Sequence, residues 1–214
     1  MFMSAPFNES QNKVELMIKR CFDFLASLFL VVVLSPVLLG MALWVRLDSP
    51  APVLYRQIRI GYQGKPFQVW KVRTMVENAS ELQAKLEAMN EVDGGVLFKM
   101  KDDPRITTAG KFLRKSSLDE LPQLFNVLMG EMSLVGPRPL PVRDVQKFKN
   151  PEHHDRHVVI PGITGLWQVC GRSDTDSEDI FRKDFEYIAN WSLLLDFQIL
   201  LKTIVVVFLG KGAY

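Results

Sequence analysis

The stretch FLASLFLVVVLSPVLLGMALWV, Phe24 to Val45, contains no charged side chain. At about 22 residues it has the length of a membrane-crossing helix. It is longer than the apolar part of a signal peptide, and no small-x-small cleavage site follows it, so it is read as a resident segment. A single transmembrane anchor is one reading. Two features favour another. Ser35-Pro36 falls in the middle of the run, where proline removes a helix hydrogen bond and clashes with the preceding turn. Basic residues also flank both ends: Lys13, Lys19 and Arg20 before, Arg46, Arg56 and Arg59 after. A spanning helix shows a Lys/Arg bias toward one flank. A helix–break–helix that enters and leaves by the same face accommodates both facts. A second apolar run, Leu193 to Leu209, carries Asp196, Gln198, Lys202 and Thr203. Those groups are costly in hydrocarbon, so an interfacial helix is expected, with a core helix as the alternative.

At 214 residues the chain can bury one substantial core. The expected organisation is a membrane segment over residues 1–50 and a single domain over 51–214, of helix-rich α/β class. With 48% hydrophobic residues and a net charge of +2, the chain is not a disordered polymer, and no electrostatic case for nucleic acid arises. Cys21 and Cys170 lack disulfide-scaffold or zinc spacing, which fits a reducing compartment. VLYRQIRI and PFQVWKVRTM flank GYQGK and predict two strands joined by a glycine turn, without the spacing of a P-loop. Glu77 to Val92 places Leu82, Leu86 and Met89 at helical spacing. Asp93-Gly94-Gly95 ends that helix, and VLFKM reads as a further short strand. Gly110 to Gly130 reads as largely helical.

Within that last segment, SSLDELPQL holds the adjacent acids Asp119 and Glu120. Ser117-x-x-Glu120 matches a capping box, whereas Pro122 in the first turn makes Asp119 the N-cap. Either way both carboxylates are expected at the positive end of a helix, a placement worth about 0.3–1 kcal/mol. Capping alone is a sufficient explanation until the surroundings are counted. Lys99, Lys101, Arg105, Lys111, Arg114, Lys115 and Arg138 crowd the same region, and Pro137-Arg138-Pro139 fixes an arginine between rigid residues. Paired carboxylates among arginines suit a site that holds Mg²⁺ and a polyphosphate together. One acid can bind metal while the other attacks phosphorus. His153, His154 and His157 offer two histidines on one helical face, but no third ligand is evident, so a solvated basic segment is expected there.

The string SSLDELPQLFNVLMGEMSLVGPRP, with KDDPRIT before it and PGITGLWQVCGRS after it, closely resembles the bacterial sugar transferase family. These are monotopic phosphoglycosyl transferases acting on polyprenol phosphate. The resemblance runs from about Val14 to the C-terminus. It implies that Asp119 attacks the β-phosphate of a UDP-sugar, releasing UMP, and that Glu120 coordinates Mg²⁺. Undecaprenyl phosphate would then attack the phosphosugar-aspartate in a ping-pong cycle. It implies phosphate-pocket roles for Lys71, Arg114 and Arg138. Arg73 and Arg105 join the substrate-binding set, and Gln168 and Arg172 fall in a second motif without assigned roles. Ser35 and Pro36 match the family's re-entrant break, which implies a monotopic protein on the cytoplasmic face of the bacterial inner membrane. Longer members carry an added N-terminal bundle of membrane helices, so this chain resembles the minimal catalytic form, with homodimerisation an open question. YIANWSLLLD leans toward transfer of a hexose-1-phosphate, glucose or galactose. The rival readings are a catalytically inactive membrane-anchored scaffold and a UDP-sugar hydrolase.

Overall fold

The computed structural model describes residues 11–86, 103–170 and 177–209. The apolar run forms two helices, α1 (Gln11–Val33) and α2 (Ser35–Asp48), bent by 60° at the Leu34 break. Pro36 sits in the first turn of α2, where its missing N–H is not needed. Ser35 Oγ donates to Val32 O at 2.8 Å across the bend. Among the described residues no single helix is long and apolar enough to cross a membrane, although the bent pair passes that test together. Leu25, Phe29, Val32, Leu39 and Leu43 of this pair are 62–71% exposed. That much unpartnered apolar surface marks an interaction face.

The N-terminal half of α1 is docked on the domain by its polar side chains. Lys19 and Arg20 are therefore not the free flanking charges that the sequence suggested. Lys19 Nζ lies 2.5 Å from Asp196 Oδ2 and donates to Val135 O at 3.1 Å. Arg20 donates to Val127 O and Leu128 O at 2.6 and 3.1 Å. Asp23 accepts from Ser133 Oγ at 2.7 Å and from Leu134 N at 3.2 Å.

After α2 the chain makes β1 (Leu54–Ile60) and β2 (Pro66–Val72), which pair antiparallel with Leu54 opposite Val72. The intervening Tyr62–Gly64 turn is the one anticipated from GYQGK. Gly64 at φ 70° supplies a left-handed position. β4 (Leu140–Pro141) adds to the other edge of β1, while β3 (Ser133–Val135) and β5 (Gly162–Thr164) form a separate parallel pair. The helices between and after these strands are α3 (Ala79–Leu86), α4 (Thr108–Lys115), α5 (Gln123–Met129), α6 (Val142–Val145), α7 (Leu166–Cys170), α8 (Ser177–Ala189) and α9 (Leu193–Leu209). The helix expected over 77–92 is represented by α3. Met89, Asp93-Gly94-Gly95, VLFKM, Lys99 and Lys101 lie outside the described residues. α4 packs directly on the end of β2: a Cβ added to Gly110 would stand 2.1 Å from Thr74 O. The main core gathers Val69, Leu124, Val127, Met132, Val135 and Ile199, and α2 contributes Met41 and Val45 to a second cluster with Ala109 and Leu113.

α9 has one face in the core and an exposed apolar face. Its Asp196 is buried and accepts from Tyr187 OH at 2.8 Å and Trp191 Nε1 at 3.2 Å. Ile199 is in the core, whereas Leu194, Phe197, Leu201, Ile204 and Val205 stand exposed. The acid that looked costly for an apolar helix thus points inward.

The histidine segment corrects its expectation. Pro151–Val158 forms a 3-10 stretch in which His153, Arg156 and His157 are buried, not solvated. His153 stacks on Phe181 with ring centroids 3.7 Å apart, and among the described residues no group of three potential metal ligands occurs. Burial, with the Arg156 charge adding to it, pushes His157 down to about 4.

Removing one partner of a buried ion pair leaves the other charge uncompensated. Lys19→Ala is expected to lower unfolding stability by about 3 kcal/mol, read from thermal or denaturant unfolding in detergent. A loss under about 0.5 kcal/mol, the scale of a surface pair, would show that the α1–α9 contact does not hold the hairpin.

Candidate active site

The acidic pair sits on a single 3-10 turn, Leu118–Glu120, between α4 and α5. Ser117 adopts a left-handed φ of 57° with no capping bond from its side chain, and α5 begins only at Gln123, with Pro122 at the cap position. The capping box is therefore not formed. Glu120 turns away from the helix start because two buried cations bind a carboxylate more strongly than a single orphan amide does.

Those cations are Lys71, near the end of β2, and Arg138, in the Pro137–Pro139 loop that leads into β4. Lys71 Nζ is 2.6 Å from Glu120 Oε1. Arg138 closes a two-pronged pair, with Nη1 donating to Oε2 at 3.0 Å and Nη2 donating to Oε1. Asp119 is also buried, yet its nearest cation is Lys71 Nζ at 4.0 Å. Its carboxylate accepts no hydrogen bond from the described residues.

This asymmetry separates the two acids electrostatically. Burial raises the pKa of Asp119, and the Glu120 charge adds to that, with Lys71 offsetting part of it. Burial acts on Glu120 as well, but Arg138 and Lys71 together hold it well below the usual carboxylate range. Lys71 is pushed down by burial while Glu120 counteracts. Burial also opposes the charge on Arg138, but Glu120 prevails and raises it. A single 3-10 turn carries little macrodipole, so burial and the neighbouring charges set the direction for Asp119.

Two further arginines act on the pair. Arg114, in the last turn of α4, donates from Nε to Thr74 Oγ1 at 2.9 Å. Burial lowers its pKa, and attraction to Asp119 is the first force against that. Arg59 was noted in the sequence only as a flanking basic residue. It is buried on β1, its pKa lowered to about 10 by desolvation and by Arg138, and it donates from Nη1 to Pro139 O at 2.7 Å. The one available signal was a buried-looking arginine in a strand. The β1–β4 pairing that brings it here joins residues 80 positions apart. Lys71, Arg59, Arg114 and Arg138 thus gather around Asp119 and Glu120, with Asp144 also acting on Arg59 and Asp103 on Arg114.

The other sequence candidates contact other partners, although Arg105 and Asp103 lie near enough to act on Arg114. Arg73 clamps the exit of α2, donating to Pro52 O at 2.7 Å, Ser49 Oγ at 2.5 Å, Ser49 O at 2.8 Å and Ala51 O at 3.1 Å. Arg105 is buried in a fork with Asp103, with Nε to Oδ1 at 2.8 Å and Nη2 to Oδ2 at 2.5 Å. Gln168 donates to Ile163 O at 3.0 Å inside the β5–α7 turn. Arg172 lies outside the described residues. Asp119 and Glu120 supply hard oxygen ligands of the kind that Mg²⁺ takes, one or two at a time with phosphate and water. Glu120 is ionised, as a ligand must be, and Asp119 has no competing donor.

Replacing Lys71 by Met removes the cation that both acids share. The titration of Asp119 is expected to move further up and that of Glu120 to move up toward the normal range. Carboxyl carbon shifts of ¹³C-labelled protein followed over pH would read both. Unchanged titration of both acids would refute the shared electrostatics.

The chain matches the family model described as bacterial sugar transferase over residues 14–210. It is 42% identical over 202 residues to the undecaprenyl-phosphate galactose phosphotransferase of Salmonella typhimurium, covering 92% of this chain and 42% of that protein. To the UDP-glucose:undecaprenyl-phosphate glucose-1-phosphate transferase of Escherichia coli it is 41% identical over 208 residues, covering 94% of this chain and 42% of that protein. To the exopolysaccharide production protein ExoY of Sinorhizobium fredii it is 40% identical over 200 residues, covering 92% and 88%. The chain thus spans less than half the length of the first two and most of the third. A match over residues 14–210 makes the chain a member of the bacterial sugar transferase family.

Proposed function

We propose that the protein transfers a sugar-1-phosphate from a UDP-sugar to undecaprenyl phosphate at a membrane surface, by way of a phosphosugar ester on Asp119. The observation that carries this reading is the buried set of cations around two adjacent carboxylates, one locked by Lys71 and Arg138 and the other reached by Lys71 only at 4.0 Å. Such a set of cations suits a diphosphate, and the less engaged acid has lone pairs free to attack. An Asp119 oxygen forms a bond to the β-phosphorus while the bond from that phosphorus to the bridging oxygen breaks. UMP leaves with the bridging oxygen and its electron pair. A phosphate oxygen of the polyprenol phosphate then attacks the same phosphorus and expels the Asp119 carboxylate, which leaves a polyprenyl-diphospho-sugar and restores the enzyme.

Raised basicity of Asp119 strengthens it as a nucleophile, and Lys71 supports its ionised form. Lys71 and Arg138 hold Glu120 in the resting site and are positioned to receive phosphate oxygens, with Arg59 and Arg114 adding to the field. Mg²⁺, when bound, would neutralise diphosphate charge, and Glu120 is the ligand assigned to it, with Asp119 adjacent. Two lines support a hexose as the sugar: the YIANWSLLLD segment, and the galactose and glucose in the names of relatives.

The bent α1–α2 pair is assigned as a re-entrant hairpin on the cytoplasmic face. Its exposed apolar side chains and those of α9 support that placement. Undecaprenyl phosphate keeps its phosphate at headgroup depth, so a shallow hairpin brings a lipid and a water-soluble donor to one site, a proximity contribution to rate. Cysteines placed before Phe24 and after Val45 should both resist labelling from outside intact cells. Labelling of either would overturn the hairpin.

Intact-mass measurement after mixing with UDP-glucose or UDP-galactose should show a hexose-phosphate adduct. Asp119→Asn should lack it, with turnover reduced on the order of 10⁴-fold. An adduct surviving in that variant would reject the nucleophile. UMP release without any lipid product would point to a hydrolase, and no release at all to a scaffold. Since the attacking form is ionised and burial raises the Asp119 pKa above 3.8, activity should fall as pH drops through a midpoint above that ordinary value.

A further inference from the structure

Arg138 can grip a carboxylate or a phosphate with two prongs only if its backbone is held still. Its own loop donates little, since Pro137 and Pro139 have no amide N–H. The anchoring comes from its carbonyls: Gly162 N donates to Pro137 O at 3.0 Å, and side chains take the carbonyls at 138 and 139. Arg59 takes Pro139 O from the β1 side, at 2.7 Å. From the other side, Arg156 Nη2 donates one hydrogen to Arg138 O at 2.7 Å and the other to Asp184 Oδ2 at 2.6 Å. Arg156 comes from the Pro151–Val158 stretch and Asp184 from α8. Their side chains are 1% and 2% exposed.

Stability is a poor explanation for this pair. Burying an ion pair costs desolvation that its attraction often fails to repay, and apolar replacements of equal size are commonly neutral or better. Here Nε and Nη1 of Arg156 also find no partner among the described residues, which adds to the cost. What the pair does achieve is geometric. It ties two elements remote in sequence to the one carbonyl next to the Arg138 side chain. Asp184 fixes the rotation of the Arg156 guanidinium, and the guanidinium fixes the loop.

We propose that Arg156, oriented by Asp184, is a positioning residue for the phosphate-binding geometry of Arg138. The proposal rests on the reading of Arg138 as a phosphate-binding group.

The test is a coupling experiment on the full chain in detergent, with UDP binding measured by titration calorimetry and unfolding temperature recorded for each variant. Arg156→Lys keeps the charge but not the fork, and Asp184→Asn keeps the shape but not the charge. Each is expected to weaken UDP binding on the order of tenfold, the scale of one charge-assisted hydrogen bond. In an Arg138→Ala background each should weaken it less than about twofold, since a residue acting only through Arg138 has nothing left to position. Equal weakening in both backgrounds, no weakening in either, or failure of both variants to fold would overturn the proposal. If Arg138→Ala binds UDP as tightly as the native protein does, the reading of Arg138 itself fails. If Arg138→Ala weakens binding while Arg156→Lys and Asp184→Asn do not, only the positioning role fails.

Discussion

Glu120 lies between Lys71 on β2 and Arg138 in the proline-flanked loop, and each of the three charges depends on the other two. A carboxylate this buried would take up a proton if it were alone, and Lys71 would lose one. Held together, Glu120 stays ionised far below the usual range, and Arg138 is raised despite its burial. The sheet edge, the turn after α4 and the loop before β4 all converge on this cluster. Asp119 sits beside it without a hydrogen bond from the described residues. The difference between the two acids arises from their neighbours and not from their chemistry, since the chain supplies two ordinary carboxylates in succession.

The same logic of paired burial attaches the bent α1–α2 pair to the domain. Lys19, Arg20 and Asp23 occupy one side of α1 and meet Asp196, the end of α5 and β3. Beyond Asp23, Ala26, Leu30 and Val31 still pack against the main core, while Leu25, Phe29, Val32 and Val33 stand exposed. One face of the helix thus belongs to the core and the other is open surface, with the Ser35-Pro36 bend turning α2 back so that Met41 and Val45 reach the second core cluster. The α1–α2 pair and the turn carrying Asp119 and Glu120 are consequently parts of one packed body. α4, against which α2 packs, also carries Arg114.

Much of this was legible in the residues. The break at Ser35-Pro36, the β1–β2 hairpin around GYQGK and the placement of Lys71, Arg114 and Arg138 near the dyad follow from local pattern and from family motifs. Other features misled. Ser117 and Glu120 have the spacing of a capping box, but the chain turns left-handed at Ser117 and Glu120 finds stronger partners. HHDRH looks like solvated surface, yet His153 stacks on Phe181 and Arg156 pairs with Asp184. Arg73 and Arg105 look equivalent to Lys71, yet the fold engages them with the exit of α2 and with Asp103.

The sequence by itself determined which stretches are apolar, where a helix must break, and which acids and bases are available as a set. Those are properties of a residue and its near neighbours, set by hydrogen-bond geometry at proline and by hydrophobic patterning. Only the tertiary structure decided which arginine meets which carboxylate, which acid is left free, and that Arg59 and Arg156 hold the loop of Arg138. Those outcomes depend on pairings between residues far apart in the chain, and on a burial that changes each charge's cost.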